Sequence, residues 1–244
     1  MSSQLPLHIG INDNASFDSF FGGRNAEVVS HIQSLAQHRD EPFVYLSGGN
    51  ALGKSHLLQA ASRLAARGGR SVAYLPMSQV AQFDTAMLEG LDQAALVCVD
   101  DVHRIVGQPR WEEALFHLYN NLRQSQVPLL VSANAKPEDL GLGLMDLQSR
   151  LSWGLILQIK PLDEAEKIQV LQLRAKLRGL LLSPDVAGFI LRRCPRDMDS
   201  LMRILEHIDQ ASLAAKRKLT VPFVKSLLDE SLSQLLRSHS QTPA

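Results

Sequence analysis

Phe43-Val44-Tyr45-Leu46-Ser47-Gly48-Gly49-Asn50-Ala51-Leu52-Gly53-Lys54-Ser55 sets an apolar run directly before a segment that satisfies G-x-x-x-x-G-K-[ST] at every fixed position. The run reads as a buried strand. The segment after it reads as a phosphate-binding loop, in which glycines let successive backbone N–H groups face one anion, Lys54 adds a mobile positive charge and Ser55 offers a hydroxyl to a magnesium ion. The spacing of Leu57, Leu58, Ala61 and Leu64 predicts a helix from Ser55 whose positive N-terminal end points at the same phosphates.

Outward from this loop the chain alternates apolar runs with helical periodicity. Further strands are expected at 71–75, closed by Pro76, and at 94–99, 128–133 and 155–159. A helix is expected from Trp111 to about Gln124, with Leu115, Leu118, Tyr119 and Leu122 on one face. Nearly continuous apolar strands alternating with helices predict an α/β fold, a parallel five-stranded sheet covered on both faces. From Asp163 the pattern becomes helical throughout. Asp163-Glu164-Ala165-Glu166 reads as an N-cap with an acidic first turn, and Pro184, Pro195 and Pro222 punctuate the helices that follow. The expected organisation is a tail over 1–16, a nucleotide-binding domain over 17–162, a smaller all-helical domain over 163–236 and a polar tail over 237–244.

The third strand ends in Asp100-Asp101. An acid there lies at the sheet's C-terminal edge, where a carboxylate holds magnesium directly or through water. Asp100 is assigned that role, and Asp101 is placed to polarise an attacking water. Asn134 ends the fourth strand, and its amide can donate and accept at once, which suits a water or a γ-phosphate. Arg150 is expected near the end of a helix just before the fifth strand.

Composition narrows the classes of function. The chain of 244 residues carries 25 basic and 25 acidic side chains, so no global positive field draws it onto nucleic acid. Two cysteines do not make a disulfide framework, and eight histidines show no metal-ligand spacing. No apolar run approaches the roughly eighteen residues of a membrane span, and the N-terminus lacks a secretory pattern. A cytoplasmic protein without membrane contact is expected.

In combination these motifs resemble the AAA+ P-loop NTPases with a helical lid, and within them the DnaA replication-initiator family. Phe17-Asp18-Ser19-Phe20, Val99-Asp100-Asp101-Val102-His103, the stretch Ser149-Arg150-Leu151-Ser152-Trp153-Gly154-Leu155 and the closing Lys218-Leu219-Thr220-Val221-Pro222-Phe223-Val224-Lys225 carry the resemblance. The length and the Gln4-Leu5-Pro6-Leu7 start are most similar to members that inactivate the initiator. The resemblance implies nucleotide contacts from Phe20, Gly48, Gly49, Asn50, Ala51, Leu52, Gly53, Lys54, Ser55 and His56. It makes Asn134 the first sensor and Arg150 an arginine finger acting in trans on ATP held by a neighbouring subunit. Asp199 occupies the place of the second-sensor arginine, and Arg196, one turn earlier, either reaches the phosphates or serves the surface. ADP or another nucleoside diphosphate with Mg2+ is the implied cofactor.

The implied partners are the DnaA initiator and, through Gln4, Leu5 and Leu7, the DNA polymerase III sliding clamp, with a homodimer allowed and DNA met mainly through the clamp. Pro6 favours the extended backbone such a peptide needs. The chain stops about twenty residues beyond Pro222, which leaves no room for the initiator's DNA-binding domain. The connection from Pro76 to Gln93 is too short for helices that grip single-stranded DNA. The alternative is an autonomous DNA-stimulated ATPase or loader; a small-molecule kinase ranks last, for want of a second substrate site.

Overall fold

The computed structural model describes residues 15–37, 42–67, 69–215 and 218–229. Gln4, Leu5 and Leu7 and the tail 237–244 lie outside them. The chain divides into two compact units, Met1–Pro161 and Leu162–Ala244.

The first unit holds β1 (Phe43–Ser47), β2 (Val72–Pro76), β3 (Leu96–Asp100), β4 (Leu129–Ala133) and β5 (Leu155–Gln158) in the order β2-β3-β4-β1-β5. All four pairings are parallel. Period-two alternation sends Val44, Leu46, Tyr74 and Cys98 to one face, where α1 (Ala26–Ala36) and α2 (Lys54–Ala65) pack. Tyr45, Leu75, Val97, Val99 and Val131 point to the other, under α3 (Pro109–Gln124) and α4 (Met145–Leu151). Both faces are buried, which is why these strands read as continuous apolar runs.

Several boundaries move. Pro76 does not close β2 from outside but is its last residue, opposite Asp100. A strand proline is tolerated because β2 is an edge strand. That pairing also draws Asp100 into β3, which starts at Leu96 rather than Ala94. The helix α3 begins two residues early because Pro109 sits at its first turn, where no N–H is needed. Between β2 and β3 the short connection is made of three 3-10 turns, Met77–Gln82, Thr85–Leu88 and Leu91–Gln93.

The second unit packs α5 (Glu164–Leu177), α6 (Pro184–Arg193), α7 (Met198–Ala215) and α8 (221–229) around Leu171, Val186, Ile190, Leu201, Leu205, Ile208 and Val224. A capping box starts α5. The Glu166 N–H donates to Asp163 Oδ1 at 2.9 Å and the Asp163 N–H to Glu166 Oε2 at 3.0 Å. Ser183 caps α6 through the Val186 N–H, and Asp197 accepts from the Ser200 N–H at 2.8 Å where α7 begins.

Candidate nucleotide site and arginine surface

The loop leaves β1 at Gly48 and enters α2 at Lys54, one residue before the expected start. Two positions demand glycine. A Cβ on Gly48 would lie 2.2 Å from Ile159 Cγ2, and Gly53 combines a φ of +91° with Phe20 at 2.8 Å from where a Cβ would stand. Ala51 also takes a positive φ, 56°. Gly53 gives α2 no side-chain cap, so the first-turn N–H groups are not capped from the chain's own N-cap residue.

Lys54 is not the mobile charge its position suggested. Its ammonium is buried and donates to the Gly48 carbonyl at 2.8 Å and the Gly49 carbonyl at 2.7 Å. Burial pushes its pKa down, and the Asp101 and Asp100 carboxylates pull it back up. Ser55, one residue on, is half-buried in the helix's first turn.

Asp100 is buried at 4% exposure, and both of its oxygens are engaged. The Tyr74 hydroxyl donates to Oδ2 at 2.6 Å, and the Ser132 hydroxyl donates to Oδ1 at 2.5 Å. Gln59 Nε2 donates to the Tyr74 oxygen at 3.1 Å, and the Asp101 N–H donates to Ser132 Oγ at 2.9 Å. Sequence reading missed Tyr74 and Ser132. The strand order is the signal that finds them, since β2 and β4 flank β3 and place hydroxyls on both sides of its terminal acid.

Asp101 stands outside the sheet at φ 57°. Burial raises its pKa, with the Asp100 charge adding to the rise and His103, Lys54 and Arg104 opposing it. His103 Nδ1 lies 3.9 Å from Asp101 Oδ1, and burial lowers the imidazole's pKa. Asn134 is exposed just past β4. Its segment is tied down by the Tyr45 hydroxyl, which donates to the Ala135 carbonyl at 2.9 Å.

Two expected nucleotide contacts have partners within the chain. His56 Nε2 stands 2.9 Å from the Ser16 carbonyl and 3.2 Å from Ser19 Oγ, with its ring 5.6 Å from that of Phe20. It thus fastens the Phe17–Ser19 turn, and with it Phe20, against α2. Arg196 pairs with Glu164, both well exposed, in the helical unit. Asp199 is exposed in the first turn of α7.

Arg150 lies in the last turn of α4, half-buried, and its guanidinium is not an ordinary solvated charge. It stacks over the Trp153 ring at 4.4 Å and stands 6.0 Å from the centre of the Phe116 ring. Arg123 from α3 stacks over the same indole at 4.7 Å. Sequence reading did not single out Trp153 or Arg123, because their meeting joins α3 to the bend after α4, which is distant along the chain.

The fit to a polyphosphate and a divalent cation rests on the donor set: a glycine loop into an uncapped helix end, the Lys54 ammonium, the Ser55 hydroxyl and the Asp100 carboxylate. The parallel sheet, this loop after β1, an acid-ended β3 beyond β4, and a separate helical unit define the AAA+ class. Residues 11–158 match the model of the bacterial DnaA ATPase domain, and residues 164–228 match that of the Hda lid domain. The chain belongs to the bacterial DnaA ATPase-domain family.

Solved structures share the fold. Domain III of the Thermotoga maritima initiator DnaA is 20% identical with a TM-score of 0.78, over 90% of this chain and 98% of that one. AMPPCP-bound DnaA from Aquifex aeolicus is 24% identical with a TM-score of 0.67, and the alignment covers 81% of this chain and 65% of that longer one. The Thermotoga maritima RuvB branch-migration motor is 20% identical with a TM-score of 0.65, over 88% of this chain and 71% of that one. Among the described residues no helix is long and apolar enough to cross a membrane.

Proposed function

We propose that this protein binds ADP or another nucleoside diphosphate with Mg2+ at the Gly48–Ser55 loop and acts on a second nucleotide, the ATP held by the DnaA initiator, through Arg150. One observation carries the reading. Arg150 is held on an aromatic surface with no carboxylate partner among the described residues, so its hydrogen-bonding edges are unspent. A guanidinium in that state suits the charge that develops on a transferring phosphoryl group, and such a group supplies roughly 10³ to 10⁵ in rate.

In this reading Lys54 and the first-turn N–H groups of α2 neutralise the bound phosphates, and Ser55 and Asp100 hold the cation. Asp101 and Asn134 are placed to orient a water. The Gln4-Leu5-Pro6-Leu7 peptide docks the protein on the DNA-loaded sliding clamp, where a homodimer is compatible with Arg150 being offered outward. Hydrolysis of the initiator's ATP then switches initiation off in the cytoplasm. The match of residues 164–228 to the Hda lid model supports a regulatory rather than an initiating role.

The test mixes ATP-loaded initiator with clamp on DNA and compares this protein with Arg150→Ala. Loss of at least about a hundredfold in the rate of initiator ATP hydrolysis is expected; equal rates would overturn the proposal. A second reading, an autonomous DNA-stimulated ATPase or loader, is favoured by one observation, a second acid, Asp101, directly after the strand-ending Asp100. ATP turnover by this protein alone, rising with DNA and with no initiator present, would support it.

A further inference from the structure

The stretch after Arg150 is built to return an aromatic ring to it. Ser152 ends α4, and the Trp153 N–H donates to the Arg150 carbonyl at 3.2 Å, closing a turn that brings residue 153 back beside residue 150. Gly154 then passes so close to β1 that a Cβ there would lie 2.3 Å from the Phe43 carbonyl oxygen. The backbone on both sides of Trp153 is therefore fixed, by the helix end before it and by the sheet after it.

The ring itself has little packing role. Trp153 is 56% exposed, whereas the other tryptophan, Trp111, belongs to the core at 8%. What the indole does contact is charge: Arg150 at 4.4 Å and Arg123 at 4.7 Å from its centre. Neither guanidinium has an ion-pair partner among the described residues. Two cations at one indole repel each other, and the ring quadrupole attracts each of them.

We propose that Trp153 is the positioning residue of Arg150. A long side chain at an exposed helix end samples many rotamers, but a guanidinium held over an indole samples fewer, and its N–H groups meet no carboxylate among the described residues. That is the pose in which a planar fork meets phosphoryl oxygens in a neighbouring molecule. Arg123 contributes a second positive charge at the same ring. This rests on the reading of Arg150 as the group that acts in trans, and extends it from one residue to a preorganised unit.

The experiment measures initiator ATP hydrolysis on clamp-loaded DNA against concentration of this protein, for wild type, Arg150→Ala, Trp153→Ala, Trp153→Phe and the Arg150→Ala, Trp153→Ala double variant. Loss of positioning lowers the maximal rate by about tenfold in Trp153→Ala while the half-saturating concentration stays within about twofold, because a misplaced group costs rate rather than docking. Trp153→Phe restores the rate to within about threefold of wild type, since a smaller π face still holds a guanidinium. The double variant is no slower than Arg150→Ala alone, as expected for residues acting as one unit.

A structural readout accompanies the kinetics. The Arg150 Nε–H proton resonance is shifted upfield by the ring current in wild type and loses that shift in Trp153→Ala. If Arg150→Ala is as active as wild type, the trans reading itself fails. If Arg150→Ala is inactive but Trp153→Ala keeps the wild-type maximal rate, only the positioning role fails. Should Trp153→Ala lose its cooperative melt, Trp153→Leu decides, since it keeps an apolar side chain without a π face: a lowered maximal rate at unchanged half-saturation supports the proposal, and a wild-type rate overturns it.

Discussion

The phosphate loop and the arginine surface handle charge in opposite ways. At the loop the principal charges are compensated from within. Lys54 is buried on two carbonyls, Asp100 takes a hydroxyl on each oxygen, and Ser132 accepts from the Asp101 N–H. At α4 two guanidiniums share an exposed indole and meet no carboxylate among the described residues. Charge already balanced by its own chain favours a settled binding site, whereas charge left open at a surface favours action on another molecule. The difference is what the proposed division of labour requires, a nucleotide held at the loop and a separate cation offered to another molecule's phosphate.

The widest break in this comparison comes from removing each cation in turn. Arg150→Ala is expected to lower initiator ATP hydrolysis by at least about a hundredfold, while ADP affinity measured by calorimetry stays within about twofold, since a half-buried side chain on α4 is not among the groups of the loop. Lys54→Ala should do the reverse to binding. It lowers ADP affinity by about ten- to a hundredfold, the worth of roughly 1.5–3 kcal/mol for hydrogen bonds to a charged group. A Lys54→Ala protein that binds ADP normally would show the loop to be a turn and no more.

Next in size is Gly53→Ala. The substitution forces a side chain into a φ of +91° and against the Phe20 ring, with an expected loss of about 1–3 kcal/mol in urea unfolding. Pairing it with Phe20→Leu should recover the steric part and leave the backbone part. Full recovery would mean that the positive φ costs nothing here.

These two regions were unequally legible. The Gly48–Ser55 loop could be read from residue types alone, because its chemistry is contained in consecutive positions with fixed spacing. The continuous apolar run Val44-Tyr45-Leu46 likewise carried the parallel sheet, since both faces are buried. The partners of Asp100 were not legible. Tyr74 and Ser132 reach it from β2 and β4, and only the strand order brings the three together. Trp153 was hidden for a related reason: a lone aromatic near a helix end says nothing until Arg123, thirty positions earlier, is found over its ring. His56 and Arg196 illustrate the converse, as proximity to a motif in sequence did not reveal that Ser16, Ser19 and Glu164 would engage them.

A smaller effect sharpens the comparison at the carboxylate. Tyr74→Phe removes the donor to Asp100 Oδ2, leaving a buried carboxylate oxygen without its hydroxyl, at an expected cost of about 1–3 kcal/mol in stability. The same change frees that oxygen for a cation. ADP affinity should therefore gain a steeper dependence on Mg2+ concentration, measured by titrating nucleotide at a series of magnesium levels. An unchanged dependence would mean that Asp100 meets the cation without using Oδ2.

The smallest effect is read from the alkaline limb of stability, at Tyr45. Its hydroxyl is buried and donates to the Ala135 carbonyl, steadying the segment that carries Asn134. Burial raises the phenol's pKa above its ordinary 10, with the nearby Glu138 charge pushing the same way. The folded chain thus keeps this proton where the unfolded chain has lost it. The stability tied to it is fully present below pH 10 and drains away as pH climbs through the raised folded value. Tyr45→Phe loses the hydrogen bond, about 1 kcal/mol at neutral pH, but has no proton to lose. The gap between wild type and Tyr45→Phe in denaturant melts should accordingly be constant from pH 7 to about 9.5 and narrow above 10. Because the buried Tyr74 and Cys98 titrate in both proteins, their contribution cancels in the difference. A gap that widened with pH would mean that the phenol ionises more readily in the fold than out of it, against the burial and the Glu138 charge that raise its pKa.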